Sequence, residues 1–494
     1  MNTPPPIDFR AADRVQSGND TRAQKFVRAL VMGTGRVGAA AARWGSRAVA
    51  IALLLAAIAL LLFGQRPQPN RLPDGRRPTG RVVITYWEKW SGFEARAMQR
   101  VVNNFNMSQN HIFVHFVSIS QINEKTLVSI AGGDPPDIAG LWAAQMGPFI
   151  SYHALYPLTA LQKEGVITPH TYVPYIWKLI APRGKLWALP STPETCALFW
   201  NKTLFKQAGL NPNVPPKTLA QLDAMSKKLT RFDAHGNLIE TGFLPTQPGW
   251  WNYSWGIYFG NHLYDAKTGE FRVDTPQQIA AYRWVQSYAR RLGLRAINSF
   301  QSGFGQFNSP LNPFMTGQVA MEEQGPYFCN FIKRNMPSMV GHYGVAPFPN
   351  AMGRTNAAVL GDSDVWVIPR HCRHPHAALQ VLKYFCKPST MEYLCAQQYK
   401  PSPLMKNSPG FLAHNPNPFI RIFEKQMHCK NVFSMPSSPI WTRVMDQLNH
   451  AAGRIWRGAS VRRTLAEKQK LINRFVKQTR QIAALRRRLA DRGR

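Results

Sequence analysis

The sequence predicts an α/β fold in which helices cover a parallel sheet. Between residues 82 and 142, three short apolar runs alternate with two segments whose apolar residues recur at helical spacing, an order typical of parallel sheets. The length of 494 residues exceeds that of a single hydrophobic core and predicts two or three domains. An apolar content of 45% indicates a globular protein.

The first elements can be placed along the chain. Residues 81–90 (RVVITYWEKW) open with a β-branched run typical of a strand, and the next segment has helical spacing, with Ser91 available as a cap. Residues 111–119 predict the second strand, 123–133 a helix ended by two glycines, and 135–142 (PPDIAGLW) the third strand. Ligands of such sheets bind beyond the carboxyl ends of the strands, where Trp90 and Trp142 stand.

The charge and the cysteines narrow the class of protein. The formal net charge of +34 is concentrated at the chain ends, since residues 442–494 alone hold fifteen basic and three acidic residues. This distribution argues against a nucleic-acid-binding protein. The six cysteines form no C-x-x-C pair, which argues against zinc and leaves disulfides open. We interpret HCRHPH (371–376) as a polar loop before a helix, so no metal site is predicted.

Residues 48–64 are predicted to be a transmembrane anchor or a signal segment. Residues 48–63 are uncharged and lie between Arg47 and Arg66, a run slightly shorter than the roughly 20 residues of a usual spanning helix. Since no small-residue cleavage pattern precedes Gly64, an uncleaved anchor is favoured. Residues 65–81, rich in proline and arginine, predict an extended linker. The GTGRVG stretch (33–38) lacks the strand and the acid of a dinucleotide site and belongs to an N-terminal tail, 1–47.

Several motifs occur together and in a fixed order. They are YWEKWSG, AGGDPPDIAGLW, KLWALPSTPETCALFWNKTLFKQAGL, FMTGQVAMEEQGPY, GDSDVWVIPRHCRHPHAALQVLKYF and IWRGASVRRTLAEKQKLINRF. With them, residues 82–475 resemble the extracellular solute-binding proteins of carbohydrate-class ABC importers, the group that includes maltose- and glycerol-phosphate-binding proteins. The resemblance implies a two-lobed periplasmic-binding-protein (type II) fold with hinge strands and a ligand cleft between the lobes.

The resemblance also implies a domain organisation and a location. Lobe one would comprise 82–192 and 341–398, lobe two 193–340 and 399–475, and 476–494 would form a basic C-terminal helix. The body would be periplasmic, anchored to the cytoplasmic membrane by residues 48–64, with the tail of 1–47 in the cytoplasm.

The implied function is capture of a sugar or oligosaccharide by closure of the lobes, followed by delivery to the membrane permease of an ABC importer. No cofactor and no catalysis are expected, because no hydrolase signature accompanies the acids Glu194 and Asp362. Two alternatives stay open: the same fold with a glycerol phosphodiester or another anionic ligand, and a membrane-tethered sugar sensor.

A sugar site needs flat rings for the C–H faces of a pyranose and planar polar groups for its hydroxyls. The resemblance places such contacts at Trp142, Gln145, Glu194, Trp251, Tyr253, Tyr327, Gly361, Asp362 and Trp441, and the strand-end argument adds Trp90. For the aromatic residues the alternative is ordinary core packing, and for Glu194 it is a salt bridge at the hinge.

Overall fold

The structure is a computed structural model that describes Leu72 and residues 78–351, 353 and 357–492. The predicted tail (1–47), the apolar segment (48–64) and most of the linker (65–81) lie outside the described residues. Within residues 78–351 and 357–492, no helix combines the length and apolar character that crossing a membrane requires.

The strands run as follows in chain order. They are β1 (Val82–Glu88), β2 (Ile112–Ser118), β3 (Ile138–Trp142), β4 (Leu189–Thr195), β5 (Ala197–Asn201), β6 (Arg231–Phe232), β7 (Leu238–Phe243), β8 (Tyr264–Asp265), β9 (Glu270–Phe271), β10 (Val319–Gln324), β11 (Tyr343–Ala346), β12 (Val359–Val367) and β13 (Val432–Phe433).

The α-helices are interspersed between these strands. They are α1 (Gly92–Ser108), α2 (Ile122–Ala131), α3 (Met146–Ser151), α4 (Thr159–Lys163), α5 (Pro174–Ile180), α6 (Lys202–Gln207), α7 (Leu219–Lys228), α8 (Pro276–Leu292), α9 (Leu294–Gln301), α10 (Phe328–Asn335), α11 (Pro375–Phe385), α12 (Pro388–Gln397), α13 (Phe411–His414), α14 (Ile420–Met427), α15 (Trp441–Trp456) and α16 (Val461–Arg492). Short 3₁₀ helices lie at Ala143–Gln145, Pro182–Gly184, Trp255–Phe259 and Pro337–Met339.

The first sheet has the order β13-β12-β3-β1-β2, with β4 paired to β12. β1 is parallel to both β2 and β3, which confirms the predicted parallel arrangement for these strands. β12 runs antiparallel to β3 and to β4, so the whole sheet is mixed. The helical spacing predicted after β1 is realised in α1, where Met98, Val101, Val102 and Phe105 are buried. Ser91 is at its N-cap, but its side chain makes no capping hydrogen bond.

The second sheet has the order β11-β5-β10-β7-β6. The chain passes from the first sheet to the second between β4 and β5, where Cys196 alone separates the two strands. It returns between β11 and β12. The first crossing is held by backbone and side-chain bonds: the Cys196 amide donates to the Leu360 carbonyl at 2.8 Å, and Gln426 Nε2 donates to the Cys196 carbonyl at 3.1 Å.

Separate apolar cores pack against the two sheets. One core contains Tyr86, Phe149 and Trp366, and another contains Phe243, Tyr258 and Trp441. The expected boundary of lobe one at residue 341 differs from the sheet pairing, because β11 pairs antiparallel with β5 of the second sheet. The basic stretch 476–494 is no separate element in its described part, since α16 begins at Val461 and runs through it to Arg492. All six cysteines are free thiols.

Candidate ligand-binding site

Trp142 ends β3 with its ring in solvent. The other residues of β3 are buried, whereas Trp142 is 42% exposed. Its partner across the strand pair is Asp364 of β12, and Lys89 Nζ lies 5.2 Å from its ring centroid. A large exposed ring therefore stands beside charged groups at the carboxyl end of the parallel strands.

Asp364 is the centre of a buried charge network. Its Oδ1 lies 2.9 Å from Lys89 Nζ and its Oδ2 lies 3.2 Å from Lys400 Nζ. The same Oδ2 accepts hydrogen bonds from the indole of Trp90 at 3.3 Å and from the Thr192 hydroxyl at 3.1 Å. Trp90 is only 4% exposed, so its ring belongs to the wall of the network.

The two lysines and Asp364 stay charged at neutral pH. Burial alone would raise the pKa of Asp364, but the ammonium groups of Lys89 and Lys400 outweigh it and lower that pKa to about 2. Burial alone would lower the pKa of each lysine, yet Asp364 raises both, with help from Glu88 at Lys89 and from Glu194 at Lys400.

Glu194 and Asp362 face each other across the β4–β12 pair. Glu194 Oε2 lies 3.1 Å from Lys400 Nζ, and burial raises its pKa although Lys400 opposes the shift. Burial and the neighbouring Glu194 also raise the pKa of Asp362. The salt bridge proposed as the alternative for Glu194 is thus present, and the side chain is still 19% exposed.

A further contact joins the 3₁₀ helix that follows β3 to helix α15. Thr442, at the start of α15, donates its hydroxyl to Gln145 Oε1 at 3.0 Å. Nearby, Gly147 packs so closely on the backbone of Ser438 that a side chain at this position would collide with it. Gln145 itself is half-buried.

The aromatic residues that were expected to contact the ligand from the second core are largely buried. Trp251 is 9% exposed and Tyr253 2%, and Trp441 is fully buried with its ring centroid 5.5 Å from that of Tyr253. The hydroxyl of Tyr253 and the indole nitrogen of Trp441 have no hydrogen-bond partner within the described part of the chain. Orphaned buried donors of this kind are uncommon and indicate a missing partner.

Tyr327 and Gly361 differ in their access to the network. Lys400 Nζ lies 5.3 Å from the centroid of the Tyr327 ring, which is 8% exposed and therefore lies at the wall of the site. Gly361 is buried in β12, and a side chain there would come within 2.6 Å of Val432. Its role in the structure is close strand packing.

Four charged residues of this network were not predicted from the sequence: Glu88, Lys89, Asp364 and Lys400. A signal existed for Asp364, since GDSD (361–364) places two acids at alternate positions of a strand. Glu94, in the first turn of α1, was also not predicted; burial raises its pKa to about 7 although Lys400 opposes the shift.

Comparison with known proteins identifies the class to which this architecture belongs. A family model described as bacterial extracellular solute-binding protein matches residues 93–392. The chain belongs to this family. The resemblance seen in the sequence is thereby confirmed. Proteins of this family bind solutes and are not enzymes.

Two relatives of this solute-binding protein carry the same name. The sn-glycerol-3-phosphate-binding periplasmic protein UgpB of Pectobacterium atrosepticum is 22% identical over 303 residues, which are 58% of this chain and 65%, less than two thirds, of that relative. UgpB of Yersinia pseudotuberculosis is 23% identical over 323 residues, which are 62% of this chain and 70% of that relative.

Solved structures show the same fold. The mannotriose-bound protein CpMnBP1 is 26% identical, with a TM-score of 0.70, and the match covers 79% of this chain and 100% of that one. The sugar-binding protein MalE of Xanthomonas citri is 19% identical, with a TM-score of 0.67, over 82% of this chain and 99% of that one. This solute-binding protein therefore has the mixed α/β fold of periplasmic sugar-binding proteins.

Proposed function

We propose that this protein captures a sugar or oligosaccharide and presents it to the membrane permease of an ABC importer. The observation that carries the proposal is the exposed ring of Trp142, which pairs with Asp364 of β12, two residues along that strand from the facing carboxyl groups of Asp362 and Glu194. Aromatic faces pack on the C–H faces of sugar rings, and carboxylates accept hydrogen bonds from sugar hydroxyls. CpMnBP1, which has the same fold, holds mannotriose.

Closure of two lobes would retain the ligand. Lobe one would be built on the first sheet. It would contain residues 82–192 and the residues from about 350, where the chain returns to this sheet, to 398. Lobe two would contain 193–346 and 399–475, with α16 continuing to Arg492. The crossings between β4 and β5 and between β11 and β12 would serve as hinges, since a few residues between rigid sheets are enough to absorb a domain rotation.

Residues 48–64 would anchor the body on the outer side of the cytoplasmic membrane, with 1–47 in the cytoplasm. The uncharged run of 48–63 supports this placement, as does the extracellular character of the family. A tethered position would keep the cleft close to the permease.

An anionic ligand is the second candidate, because two relatives are named for sn-glycerol 3-phosphate. The charge network offers few free positive groups to an anionic ligand. Lys89 and Lys400 are 7% and 4% exposed and are held by carboxylates, so a phosphate would have to displace those partners.

A thermal-shift screen of the full chain tests the proposal, with mannotriose, other saccharides and sn-glycerol 3-phosphate as probes. A ligand at 100 times its dissociation constant should stabilise the fold by about 2.7 kcal/mol. Trp142→Ala should weaken binding of the sugar that is found, while Tyr152→Ala, which removes a 64%-exposed ring just after helix α3, should not. Stabilisation by glycerol phosphate alone would favour the second candidate.

A further inference from the structure

The charged groups of the cleft do not balance. Among the described residues, five carboxyl groups belong to one network of charges that holds only two ammonium groups, those of Lys89 and Lys400. The carboxyl groups are Glu88, Glu94, Glu194, Asp362 and Asp364. From this excess we infer that the cleft selects a sugar carrying a positive charge, an amino sugar, over its neutral and anionic counterparts. The inference rests on the proposed function and concerns the same site.

Three of the carboxyl groups already have cationic partners. Lys89 Nζ lies 3.2 Å from Glu88 and 2.9 Å from Asp364. Lys400 Nζ lies 3.1 Å from Glu194 and 3.2 Å from Asp364. Both lysines are therefore fully engaged, and their charge is matched before Glu94 and Asp362 are considered.

Glu94 and Asp362 lack a cation. Both are half-buried, and among the described residues neither forms a salt bridge. Asp362 accepts a hydrogen bond from the Ser363 amide at 2.8 Å. After burial, Asp364 and Glu194 raise the pKa of Glu94, and Lys400 and Lys89 lower it. For Asp362, Glu194 and Asp364 raise the pKa and Lys400 lowers it.

An independent feature indicates a missing ligand at this place. The Tyr253 hydroxyl is buried without a hydrogen-bond partner in the described part of the chain, and its ring is 2% exposed. Burial is the largest cause of the raised pKa of this tyrosine; among the neighbouring groups Asp362 raises it most, and Cys196, Glu323 and Glu194 raise it less. The unpaired hydroxyl of Tyr253 and the carboxyl group of Asp362 thus lie in one region, where a polar ligand would supply a partner to both.

The chemistry of the ligand follows from this charge. A hydroxyl can bond to a carboxylate but leaves the excess negative charge in place, and a phosphate adds to it. An ammonium group supplies both the hydrogen bonds and the missing charge, and charge-assisted bonds are the stronger kind. Burial is the largest cause of the raised pKa of Asp362 and of the pKa of about 7 for Glu94, and neighbouring carboxyl groups raise both pKa values further, in agreement with a local shortage of positive charge.

Matched pairs of sugars test the inference by calorimetric titration of the full chain. Glucose, mannose, galactose and cellotriose are each compared with the counterpart that has an amino group on carbon two: glucosamine, mannosamine, galactosamine and the glucosamine trimer of chitosan. In the pair that binds, the amino member should bind at least about tenfold more tightly, the equivalent of one pKa unit of preference for an ionised carboxyl group. Its affinity should rise from about pH 5 to about pH 7 as Glu94 ionises and should fall with added salt.

Variants locate the effect. Glu94→Gln and Asp362→Asn should each reduce the preference for the amino sugar several-fold, and Asp134→Asn, which removes a 76%-exposed acid paired with Arg373, should leave it unchanged. If the variants fail to fold, the salt and pH dependence of the parent protein decides. A neutral sugar that binds as tightly as its amino counterpart would overturn the inference and leave the proposed function standing. Failure of every sugar to bind would overturn both.

Discussion

The ammonium group of Lys400 joins two strands next to the point where the chain crosses between the sheets: its Nζ lies 3.1 Å from Glu194 of β4 and 3.2 Å from Asp364 of β12. It also donates to the Thr192 hydroxyl at 3.2 Å. Because Lys400 is 4% exposed, water cannot replace any of these partners. The segment after α12 is therefore fixed by charge to the strands beside the first crossing between the sheets.

Removal of this ammonium should be costly. In Lys400→Met, two buried carboxylates lose a cation, and breaking a buried pair in this way costs about 3–5 kcal/mol of unfolding free energy. Urea denaturation at neutral pH measures the loss. Lys383→Met is the matched control, because its pair with Glu164 is at the surface and should be worth less than about 1 kcal/mol. Equal losses in the two variants would contradict the role assigned to Lys400.

Asp364 should govern stability in acid. Its pKa in the folded protein, about 2, lies below its ordinary value, so its contribution is fully present above about pH 4 and is lost as pH falls towards 2. The contribution that disappears is roughly 2.6 kcal/mol. The difference in unfolding free energy between the parent and Asp364→Asn should accordingly shrink between about pH 5 and about pH 2. A constant difference across that range would show that the carboxylate is not held by the lysines.

The features predicted correctly from the sequence are those set by local pattern. Alternation of apolar runs predicted β1, β2 and β3, and helical spacing predicted the buried face of α1. The argument from strand ends placed Trp142 at the carboxyl edge of the sheet, where its ring is exposed. Glu194 and Asp362, which the family resemblance supplied, face each other across one strand pair, and their contact with a ligand stays a prediction.

What local pattern could not supply is pairing across the chain. Trp90 and Asp364 are 274 residues apart and yet share a hydrogen bond, and nothing near Lys400 in the sequence indicates its partners. Trp441 illustrates a second limit. An aromatic residue at the start of a helix does not reveal in sequence whether its ring is exposed or, like that of Trp441, fully buried.

Ionisation of Glu322 should lower the free energy of unfolding at alkaline pH. Its side chain is fully buried on β10, and burial raises its pKa to about 8 although a hydrogen bond from Gln324 opposes the shift. A raised acid pKa means that stability is complete below about pH 4.5 and is lost as pH rises towards 8. Glu322→Gln should therefore match the parent near pH 5 and exceed its unfolding free energy by on the order of 3 kcal/mol near pH 9. Denaturation at both pH values tests this, with the exposed Glu124→Gln as a control that should follow the parent.

Phe93 makes a contact between the proposed lobes that should favour the closed form. Its ring lies 5.2 Å from that of Phe331, and the guanidinium of Arg334 lies 4.4 Å above it. Since an aromatic pair contributes about 0.5–1.5 kcal/mol, Phe93→Ala should weaken ligand binding by roughly 2- to 10-fold through a smaller closed population. Calorimetry gives the affinity, and small-angle scattering should show a more open unliganded protein. Phe232→Ala removes a 46%-exposed ring of the edge strand β6 and should change neither quantity. If Phe93→Ala behaves like this control, the contact does not hold the lobes together.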